Sequence, residues 1–485
     1  MELPETILIV GGGVFGLSTA LSLSERHPNK KITLIEASST IPNPHGSSVD
    51  TSRIIRADYS NPAYAKLAAD GIKKWRSTEW GQEGRYTENG LALLYTEGNS
   101  DSENYTKKSY ENVKRLLQEE GESLESIAEK LVYLPNQAAL EKVVPRYAAG
   151  MNISGGYLNR GSGWGDAEAG VRFAKQKLDQ TGKVDVKHGE VERLLFEETS
   201  STSQAKVTGV ILKDATGSTS IIKADLVILA TGASTGNLVD LRGIVDATGQ
   251  VLAYIKITDE EQAQLADMPT ILSFSTGMFI IPPRNNLLKI ARHAYGYLNP
   301  SDVPIPGATT TSSSSHTMKI SLPVYDLAIP AEGERACRQA LREILPLFAE
   351  RPFARTRICW YSDTYVIQPP FHIPELYFYI HETKDSPMNS PTGDFLISYH
   401  PSHANLFLAT GGSGHGYKFF PVLGDQIVDA LEGRLDAELQ QLWKWPEQRH
   451  ITEKHGGEFV VTKDGSRSGK IGMVLKDELA KSSRL

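Results

Sequence analysis

The sequence predicts an α/β protein in which a Rossmann-like nucleotide-binding domain is assembled from three separate segments. A second domain is inserted between them. Two observations favour this arrangement: a glycine-rich βαβ unit opens the 485-residue chain, and strand-and-glycine patterns of the same kind recur in the middle and near the C-terminus. The stretches between these patterns carry scattered β-type runs and turn residues.

The βαβ unit predicts a dinucleotide site. An apolar run, ILIV, precedes the pattern Gly11-x-Gly13-x-x-Gly16, a helical pattern follows, and a second strand, ITLIEA, contains Glu36. Gly11 permits a tight turn, Gly13 lets the backbone approach a pyrophosphate, and Gly16 lets the helix pack close to the strand. The helix N-terminus offers free N–H groups to phosphates. Glu36 would accept hydrogen bonds from ribose hydroxyls and disfavour the 2′-phosphate of NADP.

The later segments favour FAD over NAD. Residues 182–197 read as strand, turn and strand, residues 224–234 as a buried strand ending in Ala-Thr-Gly, and residues 405–431 as strand, glycine-rich loop and helix. A simple NAD domain is usually contiguous, whereas a domain closed by a C-terminal strand and helix suits the larger, extended FAD. The predicted boundaries are 1–89, 151–235 and 393–485 for the FAD-binding domain, 90–150 and 236–364 for the inserted domain, and 365–392 for an insertion.

Composition and charge narrow the remaining functions. The chain carries 51 basic and 58 acidic residues, a net charge of −7, which favours neither nucleic acid nor an anionic membrane surface as a partner. No apolar run approaches the ~20 residues that a membrane helix needs, and the start MELPETILIVGGG lacks the features of a signal peptide. Two cysteines cannot build a disulfide framework or a structural zinc site, so we expect a reducing setting and no metal.

The chain ends in Ser483, Arg484 and Leu485, a close variant of the peroxisomal S-K-L address. Such an ending also arises easily by chance. We expect a peroxisomal protein bound by the import receptor, or a cytoplasmic one if the ending is not read. The internal KDEL is not at the C-terminus and is no signal.

Six stretches resemble the monomeric sarcosine oxidase family and its fungal relatives, the fructosyl amino acid oxidases (amadoriases) and the saccharopine and pipecolate oxidases. They occur in the expected order along nearly the whole chain. They are the loop 11–16 with Glu36, SRIIRADYS (52–60), GYLNRGSGWGDAEAGVR (156–172), LLKIARHAYGY (287–297), RICWYSDT (357–364) and GGSGHGYKF (411–419). The resemblance implies an α+β substrate domain with a mainly antiparallel sheet beside the FAD domain. It also implies oxidation of the C–N bond of secondary amines and N-substituted amino acids, with formation of hydrogen peroxide.

The resemblance gives Cys359 a function. By itself, a free cysteine between apolar and aromatic residues is most simply a small buried hydrophobe. In the resembling family the cysteine of this stretch carries the flavin as an 8α thioether, which tethers the cofactor and raises its potential. We therefore expect FAD bound covalently through Cys359. Cys337 lies in ERACRQALREILPLF, where the apolar spacing favours simple helix packing.

Four cations have roles implied by the resemblance. Arg53 would lie near the flavin ring, and Arg56 would hold a substrate carboxylate. Lys418 would supply the second grip on that carboxylate. Lys289 corresponds to the lysine thought to activate oxygen, where a fixed positive charge stabilises developing negative charge. As a residue pattern, the two arginines could also be ordinary surface cations.

Further pocket residues follow from the same resemblance. His293 and Tyr361 match pocket positions, although a lone histidine is as often structural. His415 stands where the fructosyl amino acid oxidases carry a carboxylate-binding arginine, which favours a sarcosine-oxidase-like site over sugar-modified substrates. The other residues assigned to cofactor binding, besides Arg53 and Lys418, are Val14, Phe15, Ser47, Ser52, Val191, Gly232, Gly412, Gly414, Gly416 and Tyr417.

One departure from the family leaves the substrate open. Residues 365–391, rich in aromatics and proline, intervene where the family runs almost directly into the next strand. They are either a lid or wall for an aromatic substrate or a translated intron. We predict a monomeric oxidase acting on a small amine and O2, with the imine hydrolysed. The alternative is an N-methylated phenolic amine of fungal secondary metabolism whose iminium cyclises.

Two other classes fit less well. A reductase or monooxygenase driven by NAD(P)H would be a second kind of flavoprotein. Reductases need a redox-active cysteine pair and a second glycine fingerprint, and the sequence has neither. A catalytically silent FAD-binding protein is the third class, and the presence of Arg56, Lys289, Cys359 and Lys418 argues against it. Turnover on a broad panel of amines would separate these classes.

Overall fold

The structure is a computed structural model that describes residues 2–144, 146–197, 205–306, 317–365, 392–447, 449, 457–462 and 464–482. Nearly all of the predicted insertion (366–391) and the C-terminal Ser-Arg-Leu lie outside the described residues. No helix within these ranges is long and apolar enough to cross a membrane.

A six-stranded sheet forms the centre of the predicted FAD-binding domain. Its order is Leu396–Tyr399, Leu406–Thr410, Leu226–Leu229, Thr6–Val10, Lys31–Glu36 and Val184–His188. All neighbours are parallel except the first pair, which is antiparallel. The strands Leu406–Thr410, Leu226–Leu229 and Thr6–Val10 are mostly apolar, as expected of parallel strands with both faces covered. This arrangement confirms the predicted Rossmann-like domain made of three segments of the chain.

The two faces of this sheet are covered differently. Helices pack on one face, where small and apolar side chains meet: Val14–Arg26, Pro62–Ser77, Ala167–Thr181 and Phe420–Glu432. An antiparallel sheet covers the other face through a second apolar cluster: Glu190–Phe196, Ala205–Lys213 and Thr219–Lys223, with the short strand His403–Ala404 beside it. The domain is therefore three layers thick.

An eight-stranded sheet forms the substrate domain. Its order is Arg355–Thr364, Val245–Lys256, Leu287–Arg292, Met278–Arg284, Thr270–Ser273, Leu91–Tyr95, Gly155–Asn159 and Leu131–Leu134. Among these neighbours, only the pair Thr270–Ser273 and Leu91–Tyr95 is parallel. The predicted mainly antiparallel sheet is thus confirmed. Helix Ala331–Ile344 packs on one face and buries Cys337, as the helical spacing predicts.

The remaining elements connect or flank these layers. The strands are Arg53–Ile55, Tyr86–Thr87, Gly163–Gly165, Pro300–Pro304, Thr317–Ser321, Phe459–Val461 and Ser468–Lys470. The helices are Ser100–Glu119, Leu124–Lys130, Gln137–Val143, Asp259–Leu265, Ala437–Trp443 and Leu475–Ser482, and the 3-10 turns are Gly232–Asn237, Pro346–Phe348 and Gly416–Phe419.

Two segments that were predicted to lie in the FAD-binding domain pack with the substrate domain instead. Gly155–Asn159 falls in the predicted FAD-binding segment 151–235, yet it pairs with Leu91–Tyr95 in the substrate sheet. Near the C-terminus, Met473 and Leu475 join the core around helix Ala331–Ile344 instead of the FAD-binding domain. Both placements depend on distant partners, which local patterns do not reveal.

Candidate active site

A cavity of about 710 Å³ opens at the carboxyl ends of the parallel strands. This is the place where open α/β sheets bind ligands. Of the residues predicted to bind the cofactor, these line it: Gly11, Gly13, Val14, Phe15, Glu36, Ser47, Arg53, Val191, Gly232, Gly412, Gly414, Gly416 and Tyr417. Four of the predicted set do not: Gly16, Ser52, Cys359 and Lys418. The chain therefore brings most of the predicted set together from all three segments.

The glycine loop is shaped by close packing. A Cβ on Gly16 would lie 1.8 Å from the Gly11 carbonyl oxygen, so Gly16 serves the contact between helix and loop and not the cavity. Helix Val14–Arg26 starts at Gly13 without a side-chain cap. The backbone N–H of Val14 donates to Ser48 Oγ at 3.2 Å. A helix N-terminus whose N-cap residue has no side chain, at a cavity wall, suits a pyrophosphate.

Glu36 is held in place at the end of the second strand. Its carboxylate accepts from the Gly12 N–H at 2.8 Å, the Ser38 N–H at 2.9 Å and Asn43 Nδ2 at 2.8 Å. A carboxylate has about four acceptor positions, so room remains for a ribose hydroxyl. Glu36 thus also braces the glycine loop, a role that its spacing did not predict. The cavity, the uncapped helix and this carboxylate together fit the dinucleotide part of FAD.

A buried ion cluster joins the two domains. Asp50 accepts from Lys289 Nζ at 2.6 Å and from the Tyr254 hydroxyl at 2.6 Å, and it is paired with Arg53. Lys289 also donates to the Ser52 carbonyl at 2.7 Å. Burial opposes ionisation of Asp50, yet Lys289 and Arg53 hold its pKa below the usual value. Burial lowers the pKa of Lys289 to about 8 despite Asp50, so the lysine is mainly charged at neutral pH.

Asp50 is a residue that sequence reasoning missed. It stands three positions before Arg53, just outside the stretch 52–60 that resembles the family. The spacing of an acid before a basic run was the available signal, but such a pair is usually a surface feature.

Cys359 lies beside Arg53, on the strand Arg355–Thr364. Its Sγ is 3.6 Å from Arg53 Nη2, and the same guanidinium donates to the Ser47 carbonyl at 2.8 Å. The thiol is buried against Leu252 and Ala291, with Tyr361 on the same face of the strand. Because side chains alternate along a strand, Cys359 and Tyr361 share the face that Tyr361 presents to the cavity.

Arg56 and Lys418 meet at one aromatic ring. Arg56 Cζ lies 4.6 Å and Lys418 Nζ 5.3 Å from the centre of the Tyr59 ring. Lys418 Nζ donates to the His415 carbonyl at 2.9 Å, and Arg56 Nη2 donates to the Tyr105 hydroxyl at 3.3 Å. Arg56 Nη1 is buried with no hydrogen-bond partner among the described residues. Burial, reinforced by Arg56, holds the pKa of Lys418 well below its usual value.

The two histidines are neutral for a shared reason. Burial lowers the pKa of His293 and of His415 well below the usual value, and nearby cations, Arg467 and Lys418, add to the effect. His415 Nε2 is 2.5 Å from the Gly393 carbonyl, so it carries the proton, and Nδ1 accepts from the Tyr59 hydroxyl at 2.9 Å. His415 therefore positions Tyr59. The His293 ring centre lies 5.7 Å from that of Tyr361.

Arg467 is a second residue that the sequence did not reveal. It comes from the C-terminal hairpin, whose strands are Phe459–Val461 and Ser468–Lys470, and it is 2% exposed. Its Nη1 is 2.8 Å from Asp363 Oδ1, and its guanidinium lies 5.7 Å from the centre of the Tyr361 ring. No motif surrounds it, so no local pattern could have placed it at the site.

A comparison with protein families identifies residues 6–430 as a match to the FAD dependent oxidoreductase family, DAO. An amino acid oxidase of Aspergillus flavus, imqH, is 32% identical over 92% of this chain and 98% of the relative. The L-saccharopine oxidase of Schizosaccharomyces pombe is 26% identical over 92% and 94% of the two chains. These matches confirm the resemblance drawn from the six stretches.

A solved structure shows the same fold. The fructosamine oxidase of Aspergillus fumigatus (Amadoriase II) superposes with a TM-score of 0.74, covering 98% of this chain and 96% of that one at 24% identity. At this identity the likeness speaks for the architecture alone. It agrees with an α/β domain next to a mainly antiparallel sheet.

Proposed function

The chain belongs to the FAD dependent oxidoreductase family and is an amine or amino-acid oxidase within it, and we propose that its substrate is a secondary amine or N-substituted amino acid bearing a carboxylate. One observation carries this proposal. Two buried cations, Arg56 and Lys418, face one ring without a carboxylate hydrogen-bonded to either among the described residues. A buried charge is costly unless it is paired, so the site is built to receive an anion.

Bound FAD would accept a hydride at N5 from the carbon next to the substrate nitrogen and pass the electrons to O2, giving hydrogen peroxide. The residues of the chain hold the substrate for that step. Arg56 offers a planar fork that matches a carboxylate, and Lys418 adds a point charge. Both would fix the acid end, so that the amine end points toward Tyr361 and His293. The product imine is then hydrolysed.

The cofactor is proposed to be covalent, through a thioether between Cys359 and the flavin 8α carbon. The nearness of Cys359 to Arg53, whose guanidinium lines the cavity, supports this. Acid-precipitated protein should stay yellow, and Cys359→Ala should release its flavin. Cys337→Ala is the matched control, because Cys337 is buried in the helix core and should leave the pellet yellow. A colourless wild-type pellet would contradict the linkage.

A second candidate substrate is favoured by the aromatic rings that surround Arg56. Its guanidinium lies 5.7 Å from the centre of the Phe274 ring and 5.9 Å from that of Tyr105, in addition to the Tyr59 contact. Such a pocket also suits an N-methylated phenolic amine of secondary metabolism, whose iminium cyclises with formation of a C–C bond. The segment 366–391, which the sequence offers as a wall for an aromatic substrate, lies outside the described residues.

One substrate panel separates the two candidates. It contains N-methyl amino acids, pipecolate, saccharopine, fructosyl amino acids and N-methylated phenolic amines, and peroxide is the readout. A preferred substrate with a carboxylate supports the first proposal. A preferred phenolic amine without one would overturn it and favour cyclisation, which mass spectrometry of the product would show.

The peroxisomal address stays a proposal based on the last three residues. We propose that Ser483, Arg484 and Leu485 are read by the import receptor. A fluorescent fusion at the N-terminus should appear in peroxisomes, and removal of the three residues should leave it in the cytosol. An unchanged distribution would refute the address.

A further inference from the structure

Hydrogen bonds hold the C-terminal hairpin, formed by strands Phe459–Val461 and Ser468–Lys470, against its neighbours. Its two strands pair antiparallel, and the turn is closed by the Thr462 N–H on the Arg467 carbonyl at 2.8 Å. The Gly465 carbonyl at the turn accepts from Ser102 Oγ at 3.3 Å, on helix Ser100–Glu119. Beyond the hairpin, the Leu298 N–H donates to the Met473 carbonyl at 2.8 Å. The hairpin is therefore held on both sides.

Arg467 joins two segments that border the cavity. Its Nη1 pairs with Asp363, on the strand that also bears Cys359, and its Nη2 donates to the Ser413 carbonyl. Ser413 lies in the glycine-rich loop 411–416 and lines the cavity. The family match ends at residue 430, so Arg467 reaches the site from outside the matched region.

Two features show how tightly these segments meet. Ser413 has a φ of 44°, in the left-handed region that non-glycine residues rarely adopt unless their surroundings hold them there. Its N–H donates to the Ser362 carbonyl at 3.0 Å while Arg467 holds its own carbonyl. At Gly414, a Cβ would lie 2.2 Å from the Tyr361 ring. The loop thus rests directly on the strand.

We propose that Arg467 is a positioning residue that locks the glycine-rich loop to the strand of Cys359 and Tyr361, so that the C-terminal hairpin completes the flavin site. The guanidinium fork is needed because one N–H pairs with Asp363 while another holds the Ser413 carbonyl. Loss of the fork would release Ser413 and leave the buried Asp363 with the Thr248 hydroxyl but without its cation. This inference rests on the proposed function, in which FAD fills the cavity.

The test compares Arg467→Gln and Arg467→Lys with Arg338→Gln. Arg338 is a suitable control because it also donates to backbone carbonyls, those of Ala349 at 2.9 Å and of Arg351, but on helix Ala331–Ile344 away from the cavity. The visible absorption spectrum of the flavin is recorded on purified protein without substrate, and kcat, KM and Tm are measured separately.

Arg467→Gln should shift the flavin band and lower kcat at least tenfold, with a smaller change in KM. Arg467→Lys keeps one charge opposite Asp363 and should recover part of both. Arg338→Gln should have a lower Tm than the wild type but the same flavin spectrum and kcat. Equal spectra and kcat in wild type and Arg467→Gln would overturn the proposal, as would an equal change in Arg338→Gln.

Arg467→Lys decides the matter if Arg467→Gln fails to fold. A wild-type spectrum and kcat in that variant would show that the fork is not needed and would overturn the proposal. The spectrum needs no substrate, so failure of the whole amine panel would refute the proposed function and still leave Arg467 tested.

Discussion

Two buried lysines of the candidate site have different partners. Lys289 is 1% exposed and directly paired with Asp50, which also takes Arg53 and the Tyr254 hydroxyl. Lys418 is 4% exposed and has a single backbone carbonyl as its hydrogen-bond acceptor within the described part of the chain. One lysine is paired with a carboxylate of the protein itself. The other, whose pKa burial lowers, has no bonded carboxylate until substrate supplies one. We propose that this difference separates a paired cation that assists oxygen chemistry at neutral pH from a receptor for a carboxylate.

The sharpest test of this difference is stability. Asp50→Asn should lower the free energy of unfolding by about 3–5 kcal/mol, because it leaves Lys289 and Arg53 buried without their carboxylate. Lys418→Met should leave it unchanged or raise it, because it removes a charge that has no carboxylate partner. Urea unfolding of both variants measures the contrast. A similar loss of unfolding free energy in the two variants would show that Lys289 and Lys418 do not differ in how the protein compensates their charge.

The second test addresses oxygen. Lys289→Met should slow reoxidation of the reduced enzyme by about 10²–10³, or ~3–4 kcal/mol in the barrier, because a preorganised charge is lost. Reduction by substrate should change much less. Stopped-flow measurement of the two half-reactions gives both rates, and Lys177→Met, on the surface beside Glu79, is the control. Equal reoxidation in wild type and Lys289→Met would refute the assignment.

The third test addresses the carboxylate. Lys418→Ala should weaken binding of an acid substrate by well over tenfold, which is more than about 1.4 kcal/mol, because the carboxylate is left half paired. The matching amine without the acid group should bind nearly as before. KM values for the two substrates in wild type and variant give a double comparison. An equal loss for both would mean that Lys418 does not read the acid group.

The fourth test changes the pH, and its effect is small near pH 8. Because burial brings the pKa of Lys289 down to about 8, its charge should be lost above that pH. Reoxidation should therefore fall by up to about tenfold per pH unit above 8, until it reaches the rate of Lys289→Met. Lys289→Met itself should show no such decline. Reoxidation that stays constant to pH 10 in the wild type would show that the ammonium is not required.

The glycine loop, Glu36 and the strand of Cys359 were readable from the sequence because each depends on local chemistry. Turn geometry, helix start and strand alternation act over a few residues, so spacing reveals them. The family likeness of short stretches then placed Arg56, Lys289 and Lys418 at one site. In the structure Arg56 and Lys418 meet at the Tyr59 ring, whereas Lys289 pairs with Asp50.

The sequence by itself therefore determined the class of fold, the cofactor family and the residue types of the site. Tertiary structure alone decided which charges are compensated. Asp50 meets Lys289 across 239 positions of the chain, and Arg467 meets Asp363 across 104. It also decided that Gly155–Asn159 joins the substrate sheet and that the C-terminal hairpin reaches the site. The reason is that pairing of buried ions and of strand edges depends on which distant segments the packed core brings together, and no local pattern records that.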